Sequence, residues 1–67
     1  MNWIKISDRL PDIDEYVLWR HENGYIFMEC IDKDWDDTFL NNFLEGRSIK
    51  DVAGPVTHWC EIIEPED

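Results

Sequence analysis

Apolar positions along the chain fall into short runs with two different periods. In "EYVLWRHENGYIFMECI", two such runs flank Asn23-Gly24, a dipeptide that accepts positive φ at both centres of a type I′ turn. The pattern predicts a hairpin with strands over Tyr16 to Glu22 and Tyr25 to Ile31. A two-residue turn sets the register, so that His21 opposes Ile26, Trp19 opposes Met28 and Val17 opposes Cys30. One face is then Val17, Trp19, His21, Ile26, Met28 and Cys30, the expected core side. The opposite face alternates Tyr16, Leu18, Arg20, Phe27, Glu29 and Ile31, and is expected to be half covered, with Arg20 over the Phe27 ring.

Before the hairpin, "NWIKISDRLPDIDE" alternates as a short edge strand and then meets Ser7, Asp8 and Pro11, which favour turns. After it, Phe39, Leu40, Phe43 and Leu44 stand at i, i+1, i+4 and i+5, which makes one apolar helical face. Asp36 or Asp37 can cap that helix, acidic residues suit its N-terminal dipole, and Gly46 with Arg47 suits its end. "SIKDVAGP" reads as a connector with room for another helical turn, broken at Gly54-Pro55; "VTHWCEII" reads as a strand, and Glu64 to Asp67 as a frayed acidic tail. The expected fold is one α+β domain over residues 1–67: a small antiparallel sheet of three to four strands built on a central hairpin, with one short helix packed on it.

Composition changes that picture in two ways. A 67-residue chain buries only a modest share of its surface, so its 4 Trp, 2 Tyr and 3 Phe are expected to supply the stability that larger domains draw from core volume. Two cysteines are too few for a disulfide scaffold and "MNWIKI" lacks the apolar run of a signal peptide, which points to a reducing cytoplasm. No apolar run approaches the roughly 20 residues of a membrane helix. The formal net charge of -10 also disfavours anionic lipid and nucleic acid as direct partners.

The charge is uneven: residues 21–45 hold seven acids and one base, residues 1–20 four acids and three bases. Its densest part is "DKDWDD", Asp32 to Asp37. Counted as an EF-hand loop from Asp32, the sixth position is Asp37 instead of glycine and the twelfth is Phe43 instead of glutamate, so a calcium site is not expected. A solvated acidic surface is the plain reading. The sharper one is a recognition surface: in an extended chain alternate Asp side chains project about 6 to 7 Å apart, near the spacing of phosphates along a strand, and can enter a basic groove built for nucleic acid. Glu29, Asp32, Asp34, Asp36 and Asp37 would then contact Lys and Arg, with Trp35, expected to be exposed, as the apolar anchor.

Cys30, His58 and Cys60, with His21, hold the residue types of a tetrahedral zinc site, but His58-x-Cys60 is the only close pair. Free thiols acting as small hydrophobes are the expected outcome. No third group is placed to orient a Cys–His nucleophile, so neither catalysis nor a cofactor is expected.

The ends of the chain carry a further pattern: "WIKISDRLP" at Trp3 to Pro11, "VLW" at Val17 to Trp19, Trp35 in the middle and "VTHW" at Val56 to Trp59, with Pro65 near the close. It resembles the domain of unknown function 551 family, small proteins found widely in bacteriophages and prophages. Cys60 and Glu61 depart from that family's usual apolar residue and proline. The resemblance implies that Trp3, Leu10, Pro11, His58 and Trp59 are shared scaffold positions, with His58 bridging backbone groups. It also implies a bacterial host cell, and with the charge it suggests a stoichiometric inhibitor of a host nucleic-acid-binding complex, an anti-CRISPR included. The alternative is a structural or adaptor module that uses Tyr16, Leu18, Phe27 and Ile31 as an apolar hairpin face.

Overall fold

In the computed structural model, which describes residues 2–46 and 54–63, every run with a period of two forms a strand and the run at helical spacing forms a helix. The elements are β1 (Ile4–Lys5), β2 (Val17–His21), β3 (Ile26–Glu29), α1 (Asp37–Leu44) and β4 (Val56–Glu61). Arg47, the connector from Ser48 to Ala53 and the tail from Glu64 lie outside the described residues. The strands make one antiparallel sheet in the order β1-β4-β2-β3. The hairpin therefore builds one side of the sheet, and the last strand inserts between it and the edge strand β1.

The hairpin register differs by one residue from the expected one, because the turn is longer. His21 N–H donates to Tyr25 O at 2.8 Å and Gly24 N–H to His21 O at 2.9 Å, which leaves Glu22, Asn23 and Gly24 as a three-residue loop. Gly24 at φ 93° supplies the left-handed residue that such a loop needs, and the Asn23 side chain accepts from Tyr25 N–H. Arg20 now pairs with Ile26, Trp19 with Phe27, Leu18 with Met28 and Val17 with Glu29. Since strand side chains alternate, the slip exchanges the faces of β3. Phe27 turns to the core, and Ile26 and Met28, expected inside, turn out to solvent.

One cross-strand row, Ile4–Trp59–Trp19–Phe27, lies under the helix. Phe43 stands edge-on to Trp19 at 5.0 Å and 80°, and reaches Phe27 at 5.7 Å. Val17, Ile31 and Val56 are buried around this row, with Ile6, Leu40 and Leu44 packed against them. Ile31 is thus core, not part of an outer hairpin face. Five of the aromatic residues supply the interior, Trp19, Trp59 and Phe43 buried and Phe27 and Trp35 packed against them, whereas Tyr16, Tyr25 and Phe39 stay exposed.

The buried Trp side chains also satisfy their polar ends. Trp19 Nε1 donates to Glu29 O at 3.0 Å, and Trp59 Nε1 donates to Arg9 O at 2.9 Å, pinning the 6–11 loop across the sheet edge. His21 is buried on the same face, with Nδ1 2.7 Å from Gly54 O and its ring against Phe27 at 5.2 Å. Opposite a carbonyl, Nδ1 is the donor, which leaves Nε2 as a buried acceptor without a partner among the described residues.

Candidate functional site

The acidic stretch is a turn running into a helix start, not an extended strand. Asp32 Oδ1 accepts from Asp34 N–H at 2.8 Å, and Trp35 N–H donates to Asp32 O, so Asp32 closes its own turn. Asp36 is the helix N-cap, with its Oδ1 accepting from Phe39 N–H at 2.7 Å, and Asp37 opens the first turn, where a negative charge suits the helix dipole. The even phosphate-like spacing expected for alternate Asp residues is therefore absent here. Glu29 accepts from Cys30 N–H, on the core side of β3. Trp35 is half-buried, its ring 4.7 Å from Phe39 and 5.1 Å from Phe43, so it closes the lower end of the core instead of standing free among the aspartates.

These assignments divide the carboxylates. Asp36→Ala removes the cap and should cost about 1 kcal/mol of stability. Asp34→Asn should change stability by less than about 0.5 kcal/mol, because that side chain accepts no hydrogen bond among the described residues. Urea titrations of the two variants check the contrast, and equal losses would contradict it.

The second surface is the sheet face turned away from the helix. Register places Met28–Leu18–Cys60 in one row and Ile26–Arg20–His58–Lys5 in the next. Trp3 joins the first row at the β1 edge, with the Arg20 guanidinium 6.0 Å from its ring centre, so Arg20 covers Trp3 instead of Phe27. Beyond Leu18 the chain adds Tyr16. Met28 is 59% exposed, Tyr16 58% and Ile26 46%. No described helix covers this face, whose strand residues include Lys5 and Arg20 and not one acid. The Tyr16 phenol is held above the ordinary tyrosine range, first by hydrogen bonding to the Cys30 side chain beside it, with Glu29 and Asp32 adding to the effect.

The thiols and imidazoles are not brought together. His21 lies in the core, whereas His58 and Cys60 belong to the opposite face, and Cys30 follows the end of β3. Among the described residues no three His, Cys, Asp or Glu are grouped to hold a metal ion. A bulge opposite Arg20 and His21 sets Thr57 beside His58, whose Nδ1 is 2.7 Å from Thr57 Oγ1; the bridge to backbone expected of His58 is made instead by Trp59. Burial pushes the Cys60 thiol up, away from the thiolate. In native protein at neutral pH, a disulfide reagent should therefore modify half-buried Cys30 and spare Cys60, and both should react in denaturant. Equal native rates would contradict the placement of Cys60.

A cleft of about 240 Å³ lies at the β1–β4 end, lined by Asn2, Ile4, Arg9, Cys60, Glu61 and Ile63, below the roughly 300 to 1,000 Å³ of small-molecule sites. No helix among the described residues is long and apolar enough to cross a membrane.

No curated protein matches this chain, and no solved structure does. Nearly the whole chain, residues 2–66, matches the family model described as "Protein of unknown function (DUF551)", and the chain belongs to that family.

Proposed function

We propose that this protein is a non-catalytic binding module that acts by covering part of a partner's surface, and that it does so with the open face of its sheet. The observation that carries this reading is that Ile26 and Met28, with Tyr16 beyond them, stand exposed next to half-buried Leu18 and Trp3 on a sheet face that no described helix covers. It is the adaptor alternative read from the sequence, with its face redrawn by the hairpin register: Tyr16 and Leu18 stay, and Ile26 and Met28 replace Phe27 and Ile31. The test compares two pairs of substitutions in partner capture from bacterial lysate. Ile26→Asp with Met28→Asp should remove the partner at unchanged fold, and Asp34→Asn with Asp37→Asn should retain it.

A second reading rests on the exposed carboxylates of Asp34 and Asp37, in a segment whose only base is Lys33. On that reading the acidic loop enters a basic groove of a host nucleic-acid-binding complex, a CRISPR effector included, and the protein is a phage or prophage inhibitor working in the host cytoplasm. Salt separates the two. An acid-driven complex loses affinity steeply between 0.05 and 0.5 M salt, on the order of a Debye length shrinking below contact range, whereas an apolar face holds its partner.

A further inference from the structure

The open face differs from the rest of the molecule in charge as well as in cover. The described residues hold four Lys and Arg: Lys5, Arg9, Arg20 and Lys33. Two of these, Lys5 and Arg20, share one cross-strand row with His58, beside the row of exposed Met28, half-buried Leu18 and Trp3, and buried Cys60. Neither cation is paired with a carboxylate among the described residues. In a chain of net charge -10, with 16 acids against 6 bases, two cations that are unpaired among the described residues, on a face whose strand residues include no acid, are a local reversal of sign. Arg20 is exposed, with its guanidinium 6.0 Å from the Trp3 ring centre.

Resting on the reading above, we propose that the open face takes an apolar segment of a partner protein that carries carboxylates. Its apolar side chains lie over Leu18, Met28 and Trp3, and its carboxylates meet Arg20 and Lys5. Charge complementarity selects this occupant, because a guanidinium already laid along an apolar row can grip a carboxylate with two parallel N–H bonds. Size selects a segment over a second copy. The four strands, of 2, 5, 4 and 6 residues and about 4.8 Å apart, give a plan area of about 270 Å², well short of the roughly 800 Å² per partner of stable interfaces. The long-range field of the chain repels an acidic partner, but charges beyond about 8 Å are screened at physiological salt, so the two cations act at contact.

The test is a selection from a random peptide library displayed on the intact protein, at about 0.15 M salt. The net charge of the chain by itself would enrich basic peptides. The expected result is the reverse: enriched peptides that are apolar and net negative, with affinity at least tenfold weaker for Arg20→Glu and for Met28→Asp. Basic or neutral peptides lost with Met28→Asp but indifferent to Arg20→Glu would overturn the acidic-partner inference and leave the docking face standing. Peptides indifferent to Met28→Asp, or no enrichment, would overturn both. An eight-nucleotide oligothymidylate is the control for stacking on Trp3; its binding at this face, in place of acidic peptides, would assign the cations to phosphate and overturn the inference.

Discussion

Trp19→Ala should leave the chain largely unfolded. Trp19 is fully buried, donates its indole N–H to Glu29 O, and is the surface on which Phe43 of the helix stands. Truncating a buried Trp costs about 3 to 5 kcal/mol. A domain of this length holds only about 3 to 10 kcal/mol in all, at roughly 0.05 to 0.15 kcal/mol per residue. The loss is therefore comparable with the whole stability. Far-UV circular dichroism during urea titration checks it, with Trp3→Ala as the comparison: Trp3 is half-buried on the uncovered face and should cost less than half as much. A Trp19→Ala midpoint close to that of the unaltered protein would mean that the helix does not depend on this ring.

Gly46→Ala should be nearly as damaging, for a different reason. Gly46 follows the helix at φ 79°, and a Cβ there would collide with the carbonyl oxygen of Gly54, the same oxygen that faces His21 Nδ1. The helix end, the start of β4 and the buried histidine thus meet at one point with no room for a methyl group. Left-handed strain of about 1 to 2 kcal/mol adds to the clash, and a loss of about 3 kcal/mol or more is expected. Gly24→Ala is the control, because its φ is 93° but nothing lies within 4 Å of the added carbon. It should cost the strain alone, about 1 kcal/mol. A second readout, the slowly exchanging Nδ1 proton of His21 in NMR spectra, should be lost in Gly46→Ala and kept in Gly24→Ala. Equal destabilisation by the two would show that the close approach at Gly54 carries no weight.

How much of this was legible in the sequence follows from which signals are local. The helix, and a cap at Asp36 or Asp37, can be read because a capping side chain and an i, i+4 apolar pair act within two turns of chain; the structure assigns the cap to Asp36. Val17, Trp19 and His21 were placed on the core face for the same reason: alternation within one strand is a local property. The outer half of the hairpin is not fixed locally, since Asn-Gly fits both a two-residue turn and the end of a three-residue loop, and one residue of slip moves Ile26 and Met28 from core to solvent. Insertion of β4 between β1 and β2 is a long-range pairing that no local pattern announces.

The site shows the same division. The acidic run was visible as charge, but the turn at Asp32 and the cap at Asp36 turned two of its carboxylates to local structural use. Trp35 was expected outside because its sequence neighbours are aspartates; its neighbours in space are Phe39 and Phe43, four and eight residues on. The cationic row of Lys5 and Arg20 could not be seen at all before β4 was placed, because His58 joins the two strands that carry them.

The most direct test of which surface meets the partner is a covalent footprint of the purified complex. Methionine oxidation reads Met28 on the open face, and carbodiimide labelling reads the Asp34 and Asp37 carboxylates of the acidic loop. Binding through the sheet should protect Met28 several-fold and leave Asp34 and Asp37 labelled as in the free protein. Protection of the two aspartates with Met28 still freely oxidised would contradict it and assign recognition to the acidic loop.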